Sequence, residues 1–472
     1  MKRALWSSSD LSQALGVPVP EGVAATGVSI DTRSMNAGDL FVALRGEKMD
    51  GHDFAKAAQD RQAAAILCDH PLPGLETAQI VVGDALEALR QLAGFAVSRS
   101  SAKRIAVTGS VGKTGTKEML ALALSAQAPT HATEGNLNNH YGLPLTLARL
   151  HADAAYAVLE MGMNHAGELT PLSELARPHV CVVTTVEPVH IEFFPQLSDV
   201  AEAKAEIFAG LQPGGAAVLN RDNPFFALLA RRARAKGADI VSFGGHIESE
   251  FRLLHSEIAG AATEVLALAG DKPLAYRIGV PGHHWAVNSL AVLAALSALG
   301  ADVAAGAQTL AAMIPPKGRG ARRQIDLPDG GFFELIDESY NASPASMRAA
   351  IITLSQIRLE ANGRRIAVLG DMLELGSRGP DLHRALGRVL EEAGIDRVFT
   401  AGSLMEGMFE SLPQKMRAGH AATSTDLAPL VAANIEAGDV VMVKGSAGSR
   451  MGRVVEALAA PKGARAMAAN GH

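Results

Sequence analysis

Residues 104–119 read RIAVTGSVGKTGTKEM, and the order of residue types in that run decides the fold. Apolar residues up to Val107 predict a strand, Gly109 and Gly112 a tight turn, and Lys113 with Thr114 the start of a helix. A phosphate-binding loop needs this order. Glycines let backbone N–H groups of Thr108, Gly109, Ser110, Val111, Gly112 and Gly115 close on oxygens, and the helix N-terminus adds a favourable dipole. Lys113 places a point charge near terminal phosphates, and the Thr114 hydroxyl is a magnesium ligand type. The common motif has four residues between its glycines, whereas this run has two, so the strand–turn–helix context carries the reading. Alone, it fits a hydrolase, a kinase or a ligase.

Working outward, apolar strand-like runs alternate with helical patterns along the whole chain, which predicts an α/β protein. A length of 472 residues suggests three domains. In residues 1–100, GVSIDTR, DLFVAL, AAAILCD and AQIVVGD read as strands of a small α/β domain, preceded by a capped helix at DLSQALG. The basic, Ser-rich SRSSAKR marks a boundary near 101. Residues 101–318 then form a central domain of the P-loop ATPase type, with a mostly parallel sheet (YAVLEMG, HVCVVTTV, AAVLNRD, ADIVSFG) and the long helix GHHWAVNSLAVLAALSALG. PPKGRGARR reads as an exposed linker. Residues 319–472 hold four strand-like runs, FELIDESY, RIAVLGD, RVFTAG and DVVMVKG, a smaller Rossmann-like unit. The tail APKGARAMAANGH reads as loosely ordered.

A net charge of −6 argues against a surface built for nucleic acid or an anionic membrane. Cys68 and Cys181 each sit in an apolar run without metal-ligand or CxxC spacing, so buried free thiols in a reducing compartment are expected. The start MKRALWSSSD lacks a signal-peptide core, and Asn288, Ser289, Ser297 and Asp302 interrupt the most apolar helical stretch, which excludes a clean membrane span. A cytoplasmic protein, monomeric and without a membrane span, is the expectation.

Two candidate metal ligands end predicted strands. Glu160 in YAVLEMGMNHAGEL and His190 in HVCVVTTVEPVHIEFF stand where ligands gather in open α/β sheets. Lys204, between Glu202 and Glu206, reads from its surroundings as a solvated lysine on a charged helix.

Taken together, these stretches resemble the Mur ligases, from GVSIDTR to KGSAGSRM. TGSVGKT looks like that family's ATP loop. TEGNLNNHYGLPLTLA, and LGDMLELG followed by DLHRALG, look like the signature of the member that adds a dipeptide. The resemblance implies that Lys113 and Thr114 bind ATP phosphates and magnesium. It makes Glu160 a metal ligand and His190 the histidine of a second metal site. Lys204 becomes a lysine carbamoylated by carbon dioxide, which reverses the solvated reading. GHHWAVN implies that His284 and Asn288 lie near adenine, and Arg319 and Asp337 reach ATP from the last domain. In the first domain, Ile30, Thr32, Arg33, Glu47 and Lys48 match the clamp for a UDP-linked substrate, with Asn138 and Asn139 facing its sugar-peptide.

The sequence departs from the family at VEPVH before His190, at Trp285 beside His284, and at Glu338, a longer acid after Asp337. The implied substrates are UDP-N-acetylmuramoyl-tripeptide, ATP and D-alanyl-D-alanine, joined through an acyl phosphate as the last domain closes. The sister enzyme that adds a third amino acid would carry Asp-Asn-Pro-Arg in the last domain. Here Asp222–Pro224 lies in the central domain and precedes Phe225. A nucleotide-dependent binding module without chemistry would not need Glu160, His190 and Lys204.

Overall fold

Strand Lys103–Thr108 ends one residue beyond the expected Val107, and helix Lys113–Ser125 begins directly after Gly112. The computed structural model describes residues 4–188, 191–328, 330–360 and 362–460. His190 and most of the C-terminal tail therefore lie outside the described residues.

Strand Lys103–Thr108 lies between Val180–Val183 and Tyr156–Glu160, parallel to both. Its register pairs Val107 with Glu160 and Thr108 with Val183, so loops leaving three neighbouring strands meet at one sheet edge. Strands buried on both faces need no polar alternation, as in the run Val-Cys-Val-Val. The sheet continues in parallel through Ala216–Asn220 and Asp239–Gly244 to Phe251–Ala259, with Thr130–Ala132 on the opposite edge. Ala262–Ala269 and Lys272–Ile278 then add two antiparallel pairings, completing nine strands. Sequence reading missed the meander over 251–278. Exposed positions at Leu254 and Leu266 blur the period-two pattern there.

Helix His283–Leu299 is apolar nearly all round because it is packed nearly all round: Leu290, Leu293 and Leu296 are fully buried with Leu120, Leu124 and Phe243. The other face of the sheet shares its core with the first domain. Leu89, Leu92 and Ala96 of helix Ala85–Arg99 belong to the same apolar cluster as Leu143, Leu159 and Cys181. That cluster spans the expected boundary near 101, and Trp6 Nε1 donates to Ala148 O (2.9 Å) across it. The first domain contributes four parallel strands in the order Gly27–Ser29, Asp39–Val42, Ala65–Cys68, Gln79–Val81. Its helix Ser8–Leu15 carries a capping box between Ser7 and Asp10.

The last unit has its own core on both faces of a six-stranded sheet, ordered Ala321–Asp326, Phe332–Glu338, Val440–Lys444, Arg365–Gly370, Arg397–Ala401, Arg417–Ala421. All pairings are parallel except the first. Residues 321–323 are thus not linker: they open an antiparallel edge strand whose Arg322 pairs with Glu334. Arg417–Ala421 was also missed, because RAGHA carries no apolar run. Both cysteines are free and buried, with burial pushing each thiol up. Among the described residues no helix is long and apolar enough to cross a membrane.

Candidate active site

The loop Ser110–Gly115 forms one wall of a cleft of about 630 Å³. That is the size of a small-molecule site. Thr108 and Gly109 lie behind this wall. Thr184 Oγ1 donates to Val111 O (2.6 Å), and Ser110 Oγ donates to Glu187 O (3.0 Å) while accepting from Glu187 N (2.9 Å). The loop is therefore pinned to the segment leaving strand Val180–Val183, the segment that leads to His190.

Lys113 folds back, donating to Gly109 O (2.7 Å) and Ser110 O (3.4 Å). Burial lowers its pKa, with Glu160 acting against the shift and Arg319 adding to it. An anion in the loop would offset that burial cost.

Glu160 is 1% exposed. Its Oε1 accepts from Asn138 Nδ2 (2.7 Å) and Thr114 Oγ1 (3.2 Å), while its backbone N–H donates to Thr133 Oγ1 (3.0 Å). Oε2 is buried without a hydrogen-bond partner. An orphaned carboxylate oxygen is costly unless a cation uses it, and a carboxylate beside a hydroxyl is a donor set that suits magnesium. Thr133 is held in turn by the buried Lys117, whose Nζ donates to Thr133 O (2.8 Å). Sequence reading missed Lys117, Thr133 and Thr184; one polar residue at a strand end looks like any turn until its neighbours are known.

Lys204 is 4% exposed and makes no ion pair among the described residues. Burial, and secondarily Lys113, holds its pKa well below the usual lysine value. The solvated reading is therefore wrong: the side chain is buried, and that burial disfavours its charged form.

The facing wall comes from the last unit. Arg319 lies over the Tyr340 ring, 4.1 Å from its centroid. Lys444 Nζ donates to Glu338 Oε2 (3.1 Å) and Asn341 O (3.1 Å). Asp337 is turned away, its Oδ1 accepting from Ser339 N (3.1 Å) and Oγ (2.6 Å), so Glu338 rather than Asp337 faces the cleft. His284 lines the cleft near that pair, and burial lowers its pKa to about 4 despite Glu338. Asn288 packs on Gly112, where an added Cβ would stand 2.7 Å from Asn288 Nδ2.

Asn138 and Asn139 also reach the cleft, although Asn139 Oδ1 is engaged by Gly142 N (2.9 Å). The first-domain residues do not line it. Thr32 is buried, Ile30 is partly buried, Arg33 pairs with Asp31 (2.7 Å), and Glu47 and Lys48 are exposed. Their loop is framed by Arg45, which reaches Asp50 and Asp69. His52 joins the same two acids, its Nε2 accepting from Asp69 N (3.2 Å). The grouping of His52, Asp69 and His70 has metal-like spacing, but these partners already occupy His52.

A nucleotide-type phosphate loop facing a second α/β unit across a cleft defines a class, and comparisons with known proteins agree. Residues 24–96 match the Mur ligase family catalytic domain, 107–296 the Mur ligase middle domain and 327–447 the Mur ligase glutamate ligase domain. The chain belongs to the Mur ligase family. It is similar to UDP-N-acetylmuramoyl-tripeptide–D-alanyl-D-alanine ligase of Bacillus subtilis (strain 168), with 35% identity covering 97% of this chain and 98% of the relative. Among solved structures, MurF from Acinetobacter baumannii superposes with a TM-score of 0.83 at 30% identity, covering 96% of this chain and 98% of the other. MurF ligase from Thermotoga maritima in complex with ADP superposes with a TM-score of 0.75 at 27% identity, covering 91% and 96%.

Proposed function

We propose that this chain uses ATP to join D-alanyl-D-alanine to UDP-N-acetylmuramoyl-tripeptide, releasing ADP and phosphate, as the full-length similarity to ligases of that name supports. The observation that carries the reading is one cleft with Lys113, Thr114 and Glu160 on one wall and Arg319, Glu338 and Lys444 on the other.

The terminal carboxylate of the tripeptide attacks the γ-phosphorus, and the bond to the ADP oxygen breaks, leaving an acyl phosphate. The dipeptide amine then adds to that carbonyl, loses a proton, and phosphate departs. Both reactants of the first step are anionic, so Lys113 and Arg319 lower the repulsion between them. Bound magnesium would supply further charge neutralisation, and Thr114 with the free oxygen of Glu160 would hold it. Lys204, once carbamoylated, would present oxygens in place of an amine; His190 would serve a second ion. His284 and Asn288 stand on the nucleotide side of the cleft.

The UDP end of the acceptor would lie on the first domain at Ile30, Thr32, Arg33, Glu47 and Lys48, with Asn138 and Asn139 between it and the reacting carboxylate. Arg149 links these regions, donating to Val28 O (2.7 Å) and pairing with Glu134 (2.8 Å). We place the division into units near residues 101 and 318, and the enzyme in the cytoplasm as a monomer.

Phosphate release with UDP-N-acetylmuramoyl-tripeptide and ATP tests this reading. Release should require D-alanyl-D-alanine, and equal turnover with D-alanine alone would refute it.

A further inference from the structure

Two glycines three residues apart in the phosphate loop, Gly112 and Gly115, meet two side chains three residues apart on helix His283–Leu299. The Asn288 amide lies against Gly112, as described above. A Cβ on Gly115 would stand 2.7 Å from Trp285 Cζ3 and 2.9 Å from Cη2, so the indole rests on the bare backbone there. Residues at i and i+3 share a helix face, so the matched spacing lets one helix grip the other at two points a turn apart.

We propose that Trp285 is a positioning residue for ATP: its indole, braced on Gly115, sets where Lys113 and Thr114 stand. The proposal rests on ATP occupying the phosphate loop. Lys113 and Thr114 lie between the two contact points, and Thr114 is also the residue whose hydroxyl reaches Glu160. Only glycine at 115 leaves room for a six-membered ring at that approach. Trp285 is 5% exposed and borders the cleft, where its ring also lies 5.6 Å from that of His284. A tryptophan serving only as core filling would stabilise the helix without biasing one substrate over the others. A brace on the loop ties its loss to ATP.

The test uses the full chain with Trp285→Phe, Trp285→Leu, Gly115→Ala and the double variant Gly115→Ala/Trp285→Leu. Trp285→Leu should raise the KM for ATP roughly tenfold and lower kcat, with the KM of the other two substrates changed less than about twofold, because misplacing a positioned group by an ångström costs one to two orders of magnitude. Trp285→Phe, which keeps a ring on Gly115, should stay within about threefold of the parent in all constants. Gly115→Ala should be more impaired than Trp285→Leu, and the double variant should recover activity over Gly115→Ala, since the smaller side chain removes the clash.

Magnesium-ADP should change tryptophan emission in the parent and not in Trp285→Phe, whose remaining tryptophan, Trp6, is fully buried in the first domain. A lower melting temperature for Trp285→Leu with an unchanged KM for ATP would overturn the proposal, as would a double variant no better than Gly115→Ala. A parent protein that fails to bind magnesium-ADP or turn over ATP would overturn the proposed function itself.

Discussion

Thr114 and Glu160, 46 residues apart in sequence, meet at a hydroxyl-to-carboxylate contact of 3.2 Å across the sheet edge, and the second oxygen of Glu160 is left buried without a partner. Neutralising that oxygen separates activity from stability. Glu160→Gln should cut kcat about a hundredfold or more by removing the carboxylate proposed to hold magnesium. Its melting temperature without magnesium should hold or rise, because a neutral amide replaces a buried carboxylate whose second oxygen has no hydrogen-bond partner. Parallel assays of turnover and melting, with and without magnesium-ADP, check this; retained turnover would remove Glu160 from the site.

Lys204 makes a pH prediction whose sign follows from burial. Its folded pKa lies below the usual 10.5, so between the two values the unfolded chain binds the extra proton. Stability should therefore rise with pH through that window and fall as pH drops towards the folded value. In carbon dioxide-free buffer, Lys204→Met should melt higher than the parent at neutral pH and lose the slope. Turnover should be abolished in Lys204→Ala and depressed in the parent by removing carbon dioxide; full activity in Lys204→Ala would leave the amine without a catalytic role.

His284 gives the same sign in an acidic window. With a folded pKa of about 4 against an unfolded 6.5, it destabilises the protein progressively as pH falls from 6.5 to 4. The effect should amount to about 2 kcal/mol after discounting for the part of the ring open to the cleft. Chemical denaturation at pH 7.5 and 4.5 should show a smaller loss in His284→Gln than in the parent.

Gly109 stands at φ 148° with Thr184 directly over its Cα side, so a Cβ there meets the Thr184 hydroxyl. Gly109→Ala should inactivate the enzyme about a hundredfold by displacing the loop. Thr184→Ala, which loses the hydroxyl's bonds to Val111 O (2.6 Å) and Thr108 O (3.4 Å), should cost less. Nearly normal kinetics in Gly109→Ala would show that the loop tolerates the shift.

Because the cleft is shared by the central and last units, substrates that fill it should draw them together. Small-angle scattering should show a smaller radius of gyration with a non-hydrolysable ATP analogue, magnesium and UDP-N-acetylmuramoyl-tripeptide than without them. An unchanged radius would count against closure.

Local chemistry made much of this readable. The Gly112–Lys113–Thr114 order, the apolar strands and the capped helix at Ser8–Leu15 depend on backbone conformation and side-chain pattern within a few residues, and these determine the phosphate loop and the α/β class. Long-range placement decided the rest. Lys204 reads as solvated between Glu202 and Glu206 until folding buries it. Asp337 and Glu338 are adjacent acids until strand geometry turns one towards Ser339 and the other into the cleft. The edge strand Ala321–Asp326 looks like linker because pairing with Phe332–Glu338, not its own composition, makes it a strand. Sequence by itself determined which groups were available for phosphate and metal chemistry. Only tertiary structure decided which face the cleft and which of their atoms lack a partner, since burial and neighbours across the sheet are set by contacts between residues far apart in the chain.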